Sequence, residues 1–196
     1  MTTSLFSKLR RSPWAAAVLV AALQTAVLAW IVWNRVDLLR NGREIVVDVV
    51  PVDPRDLFRG DYVILGYDFT TSGNITLPPG ARKGDRAYAS IAKNADGKWT
   101  VRAISSSYPT GSAPDEVVLK GIVDYVTPID AEGRQTVGNL RYGIESYFVP
   151  EGTGKPLEDQ VRERRIEAVL AVGRGGEVAI KALKIDGTLL AQEPVL

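Results

Sequence analysis

The first hydrophobic pattern along the chain is an uninterrupted apolar run close to its N-terminus. Residues 14–33 carry no charged side chain and only two polar ones. As a helix, 20 residues rise about 30 Å, which matches the hydrocarbon thickness of a bilayer. Tryptophan stands at both ends of the run, where an indole prefers the membrane interface, at Trp14, Trp30 and Trp33. The pattern predicts a single transmembrane helix over residues 14–33.

Basic residues in front of the run predict its orientation. Lys8, Arg10 and Arg11 lie within residues 1–13, and cationic flanks favour the cytoplasmic side. We therefore expect a cytoplasmic tail at 1–13 and the rest of the chain outside the cytoplasm. A buried helix of a soluble protein and a cleaved signal peptide are the alternatives. The apolar run continues past the small residues around Ala29, which favours an uncleaved anchor.

Beyond the anchor the pattern changes to period two. Residues 34–43 are predicted as a helical linker that stops at Asn41 and Gly42, and residues 44–196 as the extracytoplasmic domain. Alternating or β-branched runs predict strands at 44–53, 61–69, 116–127 and 139–150, and hairpins at 85–105 and 166–190. One helix is predicted at 154–165. The predicted fold class is mainly β: one transmembrane helix, then an all-β barrel or sandwich-like domain with one short helix.

Composition narrows the chemistry. The 196 residues include neither Cys nor His, which removes thiol nucleophiles, Ser-His-Asp triads, disulfides, and the usual zinc, copper and iron–sulfur sites. The formal net charge is +1, so no global charge favours nucleic acid. We expect no cofactor, no metal and no nucleic-acid partner.

A turn rich in charge runs directly into a strand-like run in the segment "RDLFRGDYVILGYDF", residues 55–69. Gly60 supplies the dihedral freedom to turn into a strand, and Asp61 can accept backbone N–H bonds in that turn. Apolar residues alternate onto both faces of the strand that follows, which is typical of a strand buried on both sides. We predict that the segment is a structural corner or a docking surface formed by Arg55, Asp56, Arg59, Gly60, Asp61, Tyr62, Leu65 and Tyr67.

Chemical interpretations of the same residues stay open. Asp53, Asp56 and Asp61 have the oxygen ligands that Ca²⁺ takes, although the interleaved arginines oppose a cation. Two carboxylates of this set, or Glu145 with Glu151, are a possible hydrolytic pair. Serines of the predicted 85–105 hairpin and its C-terminal flank, with Lys93 or Lys98 as base, are a possible Ser-Lys dyad.

A second candidate is the loop at residues 147–158, which joins a predicted strand to the predicted helix. Glu151, Gly152 and Glu158 mark it. Its simplest interpretation is a strand-to-helix turn in which Glu158 is favoured by the helix dipole. The alternative is a rim loop that meets a partner.

Residues 60–67 match the pattern G-D-Y-x-x-L-x-Y at every fixed position. With "VDPRDLFRGDY", "YGIESYFVPEG" and "AIKALKIDG", the chain resembles the bacterial GDYXXLXY protein family over nearly all of its predicted outer domain. The resemblance implies a chain of about this length with an N-terminal membrane segment, and it implies no particular activity. A looser similarity, G-D-x-V-x-L after a turn, links the segment to membrane-anchored signal peptidases. Residues 55–59 contain no serine to serve as their nucleophile.

These features lead to one principal hypothesis. The chain is expected to be a non-enzymatic single-pass protein of the bacterial cytoplasmic membrane that binds or stabilises another envelope or multi-spanning membrane protein. Small residues of the helix allow close helix contact, at Ala15, Ala16, Ala17, Ala21, Ala22, Ala26 and Ala29. The alternatives are an inactive peptidase relative or carboxylate-based hydrolase, and a barrel that binds a small ligand or glycan through aromatic side chains.

Overall fold

The computed structural model describes residues 13–51, 62–71, 75–111, 113–128, 136–148 and 166–192. The chain divides into two compact units, one ending at Asp37 and the other beginning at Leu38. About half of the chain is strand, behind an apolar N-terminal helix. The prediction of a mainly β fold of this kind is confirmed.

Helix α1 spans Pro13–Asn41 without a break. It is long and apolar enough to cross a membrane, and none of its most apolar window is buried. The exposed side chains include bulky ones near both ends of the apolar run, such as Trp14 at 81% and Trp33 at 71%. In the second unit, Leu39 is buried, and the N–H of Gly42 donates to the carbonyl of Leu38. That bond ends the helix one residue before the first strand.

In its described residues, the second unit consists of two antiparallel sheets. The first contains six strands in the order β11-β10-β9-β1-β2-β8, which are β1 Arg43–Pro51, β2 Tyr62–Tyr67, β8 Ser146–Phe148, β9 Ile166–Val172, β10 Val178–Ile185 and β11 Thr188–Gln192. The second contains five strands in the order β3-β7-β6-β4-β5, which are β3 Ile75–Thr76, β4 Arg86–Lys93, β5 Trp99–Ser105, β6 Val117–Pro128 and β7 Thr136–Arg141. A short helix, α2, spans Asp68–Thr71 directly after β2.

The core lies between the two sheets because each central strand alternates apolar side chains onto its inner face. In β1, Ile45, Val47 and Val49 point inward, and Val47 is aligned with Ala168 of β9. The second sheet contributes buried residues from β4 and β6, including Leu119, which is fully buried. Residues of both sheets belong to one continuous hydrophobic cluster.

Polar contacts join the sheets at their margins. The indole N–H of Trp99 donates to the carbonyl of Val46 at 2.8 Å, which connects β5 to β1. The guanidinium of Arg43 donates to the carbonyls of Pro114 and Glu116, just before β6. These bonds join side chains of one sheet to backbone oxygens of the other sheet or of its flank, so they connect the two sheets at their margins.

Three predicted elements differ from the observed ones. The strand predicted at 61–69 ends at Tyr67, because residues 68–71 turn into α2. The strand predicted at 139–150 is broken at 142–145, where Gly143 has a φ of 82°. The hairpin predicted at 166–190 gains a third strand, β11, through a turn at Asp186 and Gly187. The helix predicted at 154–165 lies outside the described residues.

Candidate functional site

The described residues of the charged segment pack closely against their neighbours. Within β2, Leu65 is 2% exposed and Tyr67 is fully buried. The strand lies between β1 and β8, with Gly66 aligned with Val50 and Val63 with Tyr147. A strand that is paired on both edges and buried at alternate positions has a structural role and does not line an open cleft.

Tyr67 is the anchor of this corner. Its hydroxyl donates a 2.8 Å hydrogen bond to the carbonyl oxygen of Ile144, and its ring stacks on Phe69 at 5.4 Å between centroids. Phe69 in turn meets the ring of Tyr142 edge-on at 5.8 Å. Such aromatic pairs add about 0.5–1.5 kcal/mol beyond the area that they bury.

Thr70 shapes the exit from the strand. Its hydroxyl accepts the N–H of Tyr67 and donates to the carbonyl of the same residue, both at 2.9 Å. A threonine that bonds the backbone three residues earlier offers the chain an alternative to the ladder. For this reason the strand stops at Tyr67, and Asp68 and Phe69 are turned toward β1.

The turn that receives Tyr67 is organised by Glu145. Its carboxylate accepts the N–H groups of Tyr142 at 2.6 Å and Gly143 at 2.8 Å. Its carbonyl accepts the N–H of Leu65 at 2.9 Å. Glu145 therefore stabilises a tight turn that packs against β2. On sequence grounds the same side chain is a candidate for one half of a hydrolytic pair, but in the structure its role is to hold this turn.

Burial of this corner changes the acidity of two phenols. Burial raises the pKa of the Tyr67 hydroxyl far above its usual range, and the nearby charge of Glu145 raises it further. The same two causes, in the same order, raise the pKa of the Tyr142 hydroxyl. Both side chains stay neutral throughout the physiological range, so neither is prepared for proton transfer at neutral pH.

A small pocket opens beside the corner, between β1, α2 and the β4–β5 hairpin. Its volume is about 110 Å³, below the roughly 300 Å³ at which small-molecule sites begin. Its charged and aromatic lining consists of Asp48, Asp68, Phe69, Lys93, Lys98, Trp99 and Glu167. This volume can hold water or one small chemical group. We therefore interpret the pocket as a gap between the two sheets and not as a substrate site.

The two lysines of this pocket each have a close neighbour. The ammonium of Lys98 lies 3.7 Å from Asp68, and that of Lys93 lies 5.6 Å from the centre of the Trp99 ring. Asp48 and Glu167 are aligned on adjacent strands. Among the described residues, no group of three acidic side chains is arranged to hold a metal ion.

The predicted site residues divide into those the structure describes and those it does not. Leu65 and Tyr67 lie side by side in β2, and the backbone of Tyr62 is aligned with Phe148 at the start of that strand. The remaining motif residues, Arg55, Asp56, Arg59, Gly60 and Asp61, lie outside the described residues, as do Glu151, Gly152 and Glu158 of the second loop. Their roles stay predictions.

The sequence did not show which residues form hydrogen bonds with the motif strand. Ile144 acts only through its backbone carbonyl, which no side-chain pattern can show. Gly143 did carry a signal, because glycine supplies the positive φ that a tight turn requires.

A protein-family model matches the chain. The GDYXXLXY protein family model matches residues 24–183, most of the chain. The matched range includes the second half of α1, all of β2 and the Glu145 turn. No curated protein and no solved structure matches the chain. The chain belongs to the GDYXXLXY protein family.

Proposed function

We propose that this chain is a single-pass protein of the bacterial cytoplasmic membrane. Its β domain lies outside the cytoplasm and, without catalysing a reaction, binds or stabilises another envelope or multi-spanning membrane protein. The observation that carries the proposal is α1, whose apolar side chains are exposed along the whole run from Trp14 to Trp33 except at Ala16.

A helix that is apolar on every face is stable only in an apolar surrounding. Each large side chain buried from water contributes about 1.5–3 kcal/mol, and α1 exposes many of them, including Leu19 at 55% and Leu23 at 65%. Insertion into a bilayer would bury all of them together and place Trp14 and Trp33 near the two interfaces. Lipid therefore accounts for this surface better than water does.

A binding role is supported by the chemistry of the described corner. Tyr67, Tyr142 and Glu145 are committed to packing and to backbone hydrogen bonds. The adjacent pocket is smaller than ordinary substrate sites. The chain also lacks Cys and His, the commonest nucleophile-and-base material. Together these features favour a scaffold that presents surfaces over one that encloses a substrate.

Alkaline carbonate extraction tests the anchor. The variant Leu19→Arg/Leu23→Arg places two guanidinium groups within the predicted span, where each costs about 2.5–3.5 kcal/mol. The variant Leu189→Arg/Leu190→Arg is a matched control, because Leu189 is 54% exposed in the β domain. We expect the unaltered protein and the control to stay in the pellet and the helix variant to be released. Release of all three proteins would contradict the proposal.

Photo-crosslinking from the helix tests for a membrane partner. Ala15, Ala22, Ala26 and Ala29 share one helical stripe, and Val20 is turned about 200° away from Ala22. With a photoreactive residue at Ala22 we expect one defined protein adduct in native membranes, whereas the same residue at Val20 should give lipid adducts. Lipid adducts from both positions would remove the helix-mediated partner.

A further inference from the structure

The outer face of the five-stranded sheet carries an unusual group of exposed side chains. Arg86 of β4 is aligned with Ile122 of β6, and Ile122 is aligned with Arg141 of β7. Both arginines are exposed, and Ile122 is 43% exposed. The row thus places an apolar side chain between two cations on three adjacent strands.

Aromatic residues extend this row along the strands. Tyr88 lies two residues beyond Arg86 on the same face, and the ring of Tyr108 meets its ring edge-on at 5.6 Å. On the other side, Tyr125 is 41% exposed and is aligned with Asn139, two residues before Arg141. We call Arg86, Tyr88, Ile122, Tyr125 and Arg141 the Ile122 face.

The two guanidinium groups have no partner among the described residues of the domain. Neither the Arg86 nor the Arg141 side chain makes a hydrogen bond or ion pair with the part of the chain that the structure describes. Lys120 of β6, which is aligned with Tyr88, is instead bound to Glu177 at 3.0 Å. Among the described residues these two guanidinium groups have no partner, and a guanidinium group can bind a carboxylate through two parallel hydrogen bonds.

We propose that the Ile122 face is a docking surface for an acidic segment of a protein partner, with Arg86 and Arg141 each binding a carboxylate and Ile122 contacting an apolar side chain between them. This rests on the proposed function in that a protein partner exists, and it names the surface and the partner's chemistry. Neighbouring strands lie about 4.8 Å apart, so the backbones of the two arginines are about 10 Å apart. The partner therefore presents two carboxylates with roughly that spacing.

The composition of the face favours a protein over a uniformly anionic surface. Tyr and Arg are the residues most enriched where protein partners bind tightly, around an apolar centre. Lipid headgroups and nucleic acids attract many cations together and leave no use for an exposed isoleucine. This face has two arginine side chains without a partner among the described residues, and Asp124 lies beside it in β6, at the bulge between Val123 and Tyr125. Discrete carboxylates fit that arrangement, whereas a continuous negative field does not.

A photoreactive residue at Ile122 in the full-length protein, irradiated in native membranes, tests the proposal. The expected result is an adduct with a protein segment that contains two Asp or Glu side chains. The variant Arg86→Glu/Arg141→Glu should lower its yield about tenfold or more. The matched control Arg82→Glu/Arg174→Glu changes two other exposed arginines and should leave the yield unchanged. Charge-reversed acids in the partner should restore the adduct.

Several outcomes would overturn the proposal. They are a lipid or glycan adduct, an adduct that the double reversal does not weaken, and the absence of any adduct. If the double reversal prevents folding, Arg86→Gln/Arg141→Gln replaces it, and the adduct yield is also compared at low and high salt. A yield that does not fall with salt would count against the proposal, because exposed ion pairs are screened. A protein adduct from Ala22 of α1 without one from Ile122 would overturn this docking surface and leave the proposed function standing.

Discussion

The hydroxyl of Tyr67 donates a buried 2.8 Å hydrogen bond to the carbonyl oxygen of Ile144, 77 residues further along the chain. The bond connects the last tyrosine of the family's pattern to the turn between β7 and β8. The N–H of Leu65 bonds the carbonyl of Glu145 in the same turn. Two fixed positions of the pattern therefore bond the same turn, Tyr67 through its side-chain hydroxyl and Leu65 through its backbone N–H.

The first prediction compares two buried tyrosines. Tyr67→Phe leaves the carbonyl of Ile144 buried without its donor and should lower the free energy of unfolding by about 1–3 kcal/mol. Tyr142→Phe is the matched control, because its hydroxyl is buried and has no hydrogen-bond partner in the described chain. It should change the free energy by less than about 0.5 kcal/mol. Urea unfolding in detergent measures both values.

Equal losses in the two variants would contradict this account of the corner. So would a larger loss for Tyr142→Phe, because that hydroxyl would then be bonded where the structure gives it no partner.

Alkaline pH should destabilise the domain. The pKa values of Tyr67 and Tyr142 are raised in the folded state by burial and then by Glu145, whereas unfolded tyrosine ionises near pH 10. Above about pH 10 the unfolded state holds fewer protons, so the free energy of unfolding falls as pH rises. The stability from these groups is complete below that pH.

The expected slope is up to about 1.4 kcal/mol per pH unit for each of the two tyrosines. Urea unfolding between pH 9 and pH 11 measures it. The variant Tyr67→Phe/Tyr142→Phe should show a flatter dependence than the unaltered protein. An identical dependence in the two proteins would show that these phenols do not differ between the folded and unfolded states.

Removal of the Glu145 carboxylate should loosen the turn. Glu145→Ala leaves the N–H groups of Tyr142 and Gly143 without their acceptor, and we expect a loss of about 1–3 kcal/mol in stability. Glu116→Ala is a milder control, because its carboxylate accepts one long bond of 3.3 Å from Ala113. In thermal melts, Glu145→Ala should lower the melting temperature more than Glu116→Ala. The reverse order would contradict the role of Glu145 in holding the turn.

A close backbone approach at Gly138 gives a further prediction. A Cβ atom there would collide with the carbonyl oxygen of Tyr125 and lie 2.7 Å from a methyl group of Leu77. Gly138→Ala should therefore destabilise the domain by about 1–3 kcal/mol. Gly121→Ala, whose Cβ would approach Leu140 no closer than 3.1 Å, should cost less. A tolerated Gly138→Ala in denaturant titration would show that β6 and β7 separate easily.

The sequence predicted the sheets because hydrophobic periodicity reports burial directly. The 85–105 hairpin is seen as β4 and β5, and Gly97 has a φ of 78°, as the Asp96–Gly97 pair indicated. The two-sided burial expected for the motif strand is also observed at Leu65, Gly66 and Tyr67. Where local pattern and tertiary environment agree, single-sequence reasoning is sufficient.

The differences arose where one side chain overrides a local pattern. Thr70 ends β2 two residues early through bonds to Tyr67, and Glu145 breaks the run at 139–150 into a turn. The Ile122 face was not predicted because its residues come from three strands and meet only through the sheet register. The spacing of these residues along the chain gives no indication that they form a row across the strands.

Single-cysteine labelling tests the central claim most directly, because the chain contains no cysteine of its own. One variant carries Thr110→Cys in an exposed loop of the β domain, and the other carries Ser4→Cys ahead of α1. Both are treated with a membrane-impermeant maleimide in intact spheroplasts and again after lysis. We predict that Thr110→Cys is labelled in intact cells and Ser4→Cys only after lysis. Labelling of Ser4→Cys but not Thr110→Cys in intact cells, or recovery of either variant as a soluble protein, would contradict a membrane-anchored domain outside the cytoplasm.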